Sequence, residues 1–270
     1  YEISGCYSEN VYAGQLSNMK AFPIRANFKG KARVLRWLNT SADKKTVKQS
    51  GYDVYHPTYY YVPEYPKDMP VVITAHDFIH ELFPEYFAKD KVTVPAKNTS
   101  LHNTSCIIAI SEHTKKDLLR FYPDIDEEKI DVVYHAIDWI AGQKHEMPCA
   151  VEKPYILFTG QRGAYKNFNT CIRAVASVLI QNDVLLVCTG PSFTEKEMYL
   201  IDSLHIKDRV QHIFTDDAGL KALYENALCF VFPSLYEGFG FPILEAFASG
   251  TPTVLANASC FPEIARSEEH

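Results

Sequence analysis

Short apolar runs alternate with longer helix-like stretches along most of the chain. The runs are rich in β-branched and aromatic residues and are almost continuously hydrophobic, as in strands that are covered on both faces. We predict strands at residues 71–74, 107–110, 130–133, 155–159, 184–189, 210–214, 229–232 and 253–255. Such strands, separated by helices, indicate βαβ units in doubly wound parallel sheets.

Five stretches between these strands have the apolar spacing or end signals of helices. We predict helices at residues 112–121, 169–179, 194–204, 218–227 and 242–248. Ser111 is a favourable N-cap for the first, and Pro242 and Gly250 mark the start and end of the last. Roughly the first 50 residues are only weakly periodic and predict no clear element.

Residues 139–154 interrupt this alternation, because they are mixed, charged and bounded by proline. We interpret them as a linker between two α/β domains. The predicted N-terminal domain covers residues 1–150 and is incomplete at its start. The predicted C-terminal domain covers residues 151–270 and is incomplete at its end. The predicted fold class is therefore α/β with two doubly wound domains.

Composition narrows the class of protein. The chain has 270 residues, of which 47% are hydrophobic and 22% charged, and this excludes a disordered protein. Lys and Arg number 27 against 33 Asp and Glu, so we expect no nucleic-acid partner. No apolar run approaches the roughly 18–20 residues that a membrane-spanning helix needs.

The seven cysteines are widely spaced and form no Cys-x-x-Cys pair. This pattern favours reduced thiols in a cytoplasmic protein over a disulfide framework or a zinc site.

Ligands of parallel α/β sheets bind beyond the carboxyl ends of the strands. The strand at 155–159 is followed by a glycine-containing loop with two cations, Arg162 and Lys166. Two cations above the start of a helix suit an anion, a diphosphate above all. The alternative is a surface loop with solvated charges.

The strand at 229–232 is followed by a second glycine loop. Gly238 and Gly240 leave backbone N–H donors accessible, and a helix begins directly after them. Glu237 lies in the loop, and we place Glu245 in the first helical turn. Because a carboxylate repels a diphosphate, both glutamates suit the hydroxyls of a ribose or sugar. The alternatives are a helix-dipole glutamate and a solvated loop glutamate.

His76 directly follows the strand at 71–74, where it could transfer a proton or donate a hydrogen bond near neutral pH. His76, His80 and Glu81 do not complete a His-Glu-x-x-His zinc motif, so we expect no metal site here and assign His80 and Glu81 to surface or packing roles. The chain also lacks a P-loop, a complete Gly-x-Gly-x-x-Gly fingerprint and a Gly-x-Ser-x-Gly nucleophile elbow.

Taken together, these segments resemble the retaining glycosyltransferases of family 4, which have the GT-B fold of two Rossmann-like domains facing a cleft. The most specific stretch is 230–264, with Glu237 and Glu245 separated by seven residues around a glycine loop. Segment 160–168 is similar to the family's donor-phosphate loop. Segments 53–57, 71–77, 107–118 and 131–138 are similar to its acceptor domain, in the family's order.

The resemblance implies a role for each matching residue. Arg162 and Lys166 would hold the donor diphosphate, and Glu245 would bind the nucleotide ribose. Glu237 would contact the donor sugar, and His76 would lie near the reacting carbon, so these two are the implied catalytic residues. Backbone donors to the phosphates or the sugar would come from Gly238, Phe239 and Gly240.

The implied reaction moves a sugar such as mannose or glucose from a UDP- or GDP-sugar to an acceptor hydroxyl with retention, in polysaccharide or glycoconjugate synthesis. The acceptor would be a glycan or a lipid-linked glycan. No cofactor or metal is expected, since cations and a helix N-terminus would neutralise the leaving diphosphate. The implied location is the cytoplasm, with the inner face of the cell membrane as a candidate place of contact.

Two alternatives stay open at this point. One is an epimerase-like GT-B enzyme that rearranges the nucleotide sugar, and the other is a degenerate, non-catalytic binding protein. An NAD-dependent Rossmann enzyme ranks below both because its fingerprint is missing. The family's first strand is not recognisable before Tyr52, and its closing helices are absent after residue 265, so we expect a partial record of a longer protein.

Overall fold

The structure, a computed structural model, describes residues 7–8, 20–21, 28, 30–48, 51–60, 68–138 and 151–265. Most of the predicted linker at 139–154 and the last five residues lie outside the described residues.

Ten strands are present in the described ranges, and eight of them correspond to predicted ones. They are β1 (Tyr7–Ser8), β2 (Lys20–Ala21), β3 (Val72–Ala75), β4 (Cys106–Ala109), β5 (Ile130–Val132), β6 (Tyr155–Phe158), β7 (Leu185–Cys188), β8 (Val210–His212), β9 (Cys229–Phe232) and β10 (Thr253–Leu255).

The same ranges contain nine α-helices. They are α1 (Lys31–Val47), α2 (Ile79–Leu82), α3 (Thr93–His102), α4 (Glu112–Phe121), α5 (Phe168–Gln181), α6 (Glu195–Ser203), α7 (Asp217–Asn226), α8 (Phe241–Ala248) and α9 (Phe261–Ile264). All five predicted helices are found with small shifts at their ends.

The largest sheet has five strands in the order β10-β9-β6-β7-β8, and every neighbouring pair is parallel. A second sheet has the order β3-β4-β5, and β1 pairs with β2 in parallel. In the large sheet β6 lies between β7 and β9, so the loops after β6 and β9 leave neighbouring strands at the same edge. This order places the two predicted glycine loops side by side.

Side chains of the two central strands alternate between two separate cores. Ile156 and Phe158 of β6 pack in one apolar cluster with α5 and α6, while Tyr155 and Leu157 pack in the other with α7 and α8. All four residues of β6 and all four of β7 are buried. The sheet is therefore covered on both faces, as its continuous hydrophobicity predicts.

The described residues form two compact units. One comprises residues within Tyr1–Thr74, Asp90–Ile108 and Asp124–Asp131, and the other comprises residues within Ala75–Lys89, Ala109–Pro123 and Val132–His270. The division of the chain near residue 150 stays a prediction.

Helix ends follow local capping chemistry. Ser111 caps α4 as predicted, because its hydroxyl accepts the Thr114 N–H at 3.0 Å. Thr194 and Glu197 form a reciprocal capping box at the start of α6.

The predicted position of Glu245 in the first turn of its helix is wrong. Gly240, with φ of 93°, is the N-cap of α8, so the helix begins at Phe241, one residue before Pro242. Glu245 is thus the fifth residue of the helix and lies beyond its first turn. There the N-terminal dipole acts on it only weakly.

Two long helices were not predicted, and the reason differs between them. In α3 the buried face carries polar side chains, including Thr93, Lys97 and Ser100, so no apolar stripe marks it. In α1 the apolar residues Val34 and Trp37 are exposed, and the hydrophobic positions do not follow the buried face. Among the helices of the described ranges, none has the length and apolar content needed to span a membrane.

Candidate functional site

The glycine loop after β9 lies directly against the segment after β3. A Cβ atom added to Gly238 would overlap the His76 carbonyl oxygen and would lie 3.3 Å from the Asp77 Cβ. Only glycine allows the two backbones to approach so closely. The packing therefore requires glycine at position 238, in the second of the two predicted glycine loops. The contact brings two predicted site residues together.

The carbonyl group of Gly238 is held by two buried hydroxyls at the start of α4. Ser111 Oγ donates to it at 2.9 Å, and Thr114 Oγ1 lies 3.2 Å away. Both side chains are fully buried. Hydrogen bonds of this kind fix a backbone carbonyl that would otherwise be buried without a partner.

Glu237 and Lys166 form an ion pair, with 2.5 Å between Nζ and Oε1. Their side chains are only 12% and 20% exposed. Lys166 ends a 3₁₀ turn after β6 (Ala164–Lys166), and its ammonium group also lies 5.7 Å from the ring centroid of Phe232. The neighbouring positions of β6 and β9 therefore bring the predicted sugar contact and one predicted diphosphate cation together.

The backbone of Glu237 is fixed from the segment before α9. Ser259 Oγ accepts the Glu237 N–H at 3.2 Å and lies 2.5 Å from its carbonyl oxygen. The buried Cys260 thiol donates to the Phe239 carbonyl at 3.1 Å. Burial raises the pKa of the Cys260 thiol to about 12, so it stays protonated as a donor. Sequence reasoning missed both residues.

Glu245 is half-buried, and Tyr224 donates a hydrogen bond to its Oε2 at 3.1 Å. Burial raises the pKa of this carboxyl, the Tyr224 bond lowers it, and the nearby Asp217 charge raises it, so that the net pKa is raised. Glu245 lines a cavity of about 360 Å³ together with Phe241, Leu220 and Asp217. A sheltered carboxylate beside open space can accept hydrogen bonds from ligand hydroxyls.

The guanidinium group of Arg162 forms hydrogen bonds with other parts of the protein. Its guanidinium donates to Glu197 at 3.1 Å, to the carbonyls of Thr189 at 3.2 Å and Ser192 at 2.8 Å, and to that of Pro191. Its side chain is 2% exposed. These bonds tie the loop after β6 to the loop after β7 and to α6. Contact between Arg162 and a diphosphate stays a prediction.

His76 lies at the end of β3, as predicted, and is half-buried. Its ring stacks on that of His135 with 6.3 Å between centroids, and His135 in turn meets Phe239 edge-on at 5.2 Å. Burial lowers the pKa of His135, and the neighbouring His76 lowers it further. His135, which sequence reasoning missed, is thus biased toward the neutral form. Phe239, whose backbone N–H is predicted to bind the phosphates or the sugar, is buried beside His135.

The described residues contain no group of three or more His, Cys, Asp or Glu side chains arranged to hold a metal ion. His80 packs against Phe87, with 4.1 Å between ring centroids, which agrees with its predicted packing role. A reaction without metal or cofactor stays a prediction. The five described cysteines are free thiols, as their spacing predicts.

A continuous line of contacts therefore runs from Lys166 through Glu237 and Gly238 to His76. Glu245 and Arg162 each have protein partners outside this line. The site combines a cation, a sheltered carboxylate and an imidazole beside a glycine loop that leads into a helix N-terminus. Such an arrangement suits a ligand that carries both phosphate and hydroxyl groups.

Two family profiles match the chain, one after the other. Residues 6–139 match Glycosyltransferase Family 4, and residues 143–270 match Glycosyl transferases group 1. Together the two profiles cover almost the whole chain, which confirms its resemblance to the family 4 glycosyltransferases.

Curated relatives include bacterial sugar transferases. The chain is 28% identical over 196 residues to the O-antigen chain mannosyltransferase RfbU of Salmonella typhimurium. The aligned region covers 71% of this chain and 53% of RfbU. It is 27% identical over 226 residues to the O-antigen chain mannosyltransferase B of Escherichia coli, covering 78% and 58% respectively. The chain thus spans little more than half the length of these relatives.

Solved structures show the same fold. Anabaena HepE, crystallised with UDP and glucose, superposes with a TM-score of 0.65 at 20% identity and covers 91% of this chain and 69% of its own. The lipopolysaccharide glycosyltransferase WaaG gives 0.62 at 16% identity, covering 93% and 71%. The predicted fold class, α/β of the GT-B type, is confirmed.

Proposed function

We propose that the chain transfers a hexose from a nucleoside diphosphate sugar to an acceptor hydroxyl with retention at the anomeric carbon. The observation that carries this proposal is the line of contacts from Lys166 through Glu237 and Gly238 to His76. It joins a phosphate-binding cation to groups suited to a sugar within one site.

The negative charge of the leaving diphosphate explains why the proposed site contains a lysine. When the bond between the anomeric carbon and the diphosphate oxygen breaks, negative charge grows on the diphosphate. Lys166 carries three N–H donors, of which the pair with Glu237 uses one, and α8 adds the positive end of a helix dipole. Both favour the charge as it develops, which lowers the barrier to departure.

The other residues suit the hydroxyl-bearing parts of the donor. Glu237, held on its backbone by Ser259, would accept hydrogen bonds from the sugar, and Glu245 from the ribose. His76, at the opposite end of the contact line, would donate a hydrogen bond to the reacting sugar. Arg162 would act on the diphosphate indirectly, by holding the loop that carries Lys166.

Relatives favour mannose as the sugar and a cell-surface glycan as the acceptor, because RfbU and the Escherichia coli relative are named O-antigen chain mannosyltransferases. HepE was crystallised with UDP and glucose, so the base stays open between GDP and UDP. We further propose a cytoplasmic location with a glycan or lipid-linked glycan as acceptor.

Product analysis tests the proposal. The chain is incubated with GDP-mannose, UDP-glucose, UDP-galactose or UDP-N-acetylglucosamine, with and without mannose-containing acceptor glycans. Formation of a new glycoside with retained anomeric configuration, read by NMR, would support it. A new nucleotide sugar formed without acceptor would instead indicate the epimerase-like alternative, and absence of any turnover would contradict the proposal for this chain.

A further inference from the structure

Tyr236, the residue before Glu237, carries a buried hydroxyl with a partner on each side. The hydroxyl donates to Asp117 Oδ2 at 2.8 Å and accepts the backbone N–H of Phe78 at 3.2 Å. The whole residue is 4% exposed. Phe78 is two residues after His76, so one oxygen atom joins the neighbours of the two proposed catalytic residues.

Asp117 is placed to hold that hydroxyl. It lies on α4, is 4% exposed, and also has His113 Nε2 at 3.4 Å from the same oxygen. Burial alone would raise the pKa of Asp117, but hydrogen bonds from His113 and Tyr236 and the charge of Arg120 outweigh burial and lower it. Asp117 is therefore a carboxylate at neutral pH and a strong acceptor.

The same helix holds the loop at a second point. Ser111 and Thr114 bind the Gly238 carbonyl, and Glu263 accepts the N–H groups of Glu112 at 2.7 Å and His113 at 3.1 Å. Helix α4 thus contacts the loop on both sides of Glu237, through Asp117 at Tyr236 and through Ser111 and Thr114 at Gly238. These contacts keep the loop folded when the Tyr236 hydroxyl alone is removed, so that the loss of the hydroxyl changes the alignment of the loop with His76 and not the fold.

We propose that Asp117 and Tyr236 are positioning residues, which fix His76 and Glu237 relative to each other through the Tyr236 hydroxyl. The inference rests on the proposed function, because it assigns both positioned residues to one reacting sugar. Neither Asp117 nor Tyr236 needs to touch the substrate. Their effect comes from geometry, since small displacements of reacting groups lower rates steeply.

Three variants test this inference in the full chain. Tyr236→Phe removes the hydroxyl and keeps the ring. Asp117→Asn keeps an acceptor for the hydroxyl, whereas Asp117→Leu removes it. Tyr155→Phe is the matched control, because Tyr155 is equally buried and its hydroxyl donates to the Leu223 carbonyl at 2.6 Å, away from both loops. Thermal melting confirms that each variant is folded.

With the nucleotide sugar that the native chain turns over best, Tyr236→Phe and Asp117→Leu should lower kcat about tenfold or more and change KM less than about threefold. Asp117→Asn should recover most of kcat, and Tyr155→Phe should match the native chain. An unchanged kcat in Tyr236→Phe, or an equal loss in Tyr155→Phe, would overturn the inference.

Amide hydrogen exchange of residues 76–80 and 236–240 separates this inference from the proposed function, because it needs no substrate. Tyr236→Phe should exchange faster in both segments, and Tyr155→Phe in neither. Unchanged exchange would overturn the coupling even if the chain is an active transferase. Faster exchange in a chain that turns over no nucleotide sugar would overturn the proposed function and the catalytic meaning of the pair, but not the coupling.

Discussion

Gly238 packs its Cα against the carbonyl oxygen of His76, with no room for a side chain between them. This contact joins residues 162 positions apart in the sequence, since 238 − 76 = 162. The glycine is therefore needed for the close approach of two backbone segments that carry proposed catalytic residues.

Gly238→Ala should displace one of the two segments. We expect a loss of about 1–3 kcal/mol in the free energy of unfolding, as for other overpacked sites, and loss of turnover. Gly163→Ala is the control, because its added Cβ meets nothing within 4 Å and its φ is −77°. Urea unfolding compares the two variants, and equal stability in both would contradict the packing.

Arg162→Ala should destabilise the chain through lost contacts in the protein itself. It leaves Glu197 and the carbonyl of Thr189 without their buried donor, for which we expect about 3 kcal/mol. Arg209→Ala breaks the pair with the exposed Asp183, which is screened by solvent, and should therefore cost clearly less than Arg162→Ala. A similar loss in both variants, measured by urea unfolding, would show that burial of Arg162 matters little.

Lys166→Met should weaken binding of nucleoside diphosphates more than that of monophosphates. The lost ammonium group would contact the diphosphate, so we expect about a tenfold loss for GDP or UDP and little change for GMP or UMP. Lys153→Met, at an exposed lysine paired with Asp183, should change neither. Calorimetric titration measures all four ligands, and equal losses for both phosphate classes would remove Lys166 from the diphosphate site.

Glu245→Gln should stabilise the free protein at neutral pH while weakening nucleotide binding. The folded-state pKa of Glu245 is raised, chiefly by burial, so its ionised form is less stable in the folded protein than in the unfolded one. This penalty is present above the folded pKa and disappears as pH falls below the unfolded value, near 4.5. Unfolding at pH 7 and below 4.5 should show an advantage of the variant only at pH 7. An advantage that persists at low pH would contradict the titration of Glu245.

The sequence predicts the large sheet well because strands that are buried on both faces have almost continuously hydrophobic sequences. Cys229–Phe232 and Thr253–Leu255 appear as strands with the predicted bounds. The pairing of Lys166 with Glu237 follows once β6 and β9 are neighbours, which the chain order alone does not state. Polar burial hides α3, and no apolar pattern could have indicated it.

The hydrophobic pattern of the sequence does not predict contacts between residues that are far apart in the chain. Asp117 and Tyr236 are separated by 119 positions, and neither residue type is unusual at its place. The partners of Arg162 lie in the loop after β7 and in α6, so the sequence allowed its cation to be assigned to a ligand but did not show its bonds within the protein. The start of α8 depends on the backbone of Gly240, which shifted Glu245 by one position in its helix.

The most direct test of the donor site is a binding titration of the chain with UDP, GDP and their sugar conjugates, beside Glu245→Ala and the exposed-glutamate control Glu195→Ala. We predict saturable binding of one nucleotide class, lost in Glu245→Ala and kept in Glu195→Ala. Binding that is equal in all three proteins, or absent from the native chain, would contradict a donor site at this position.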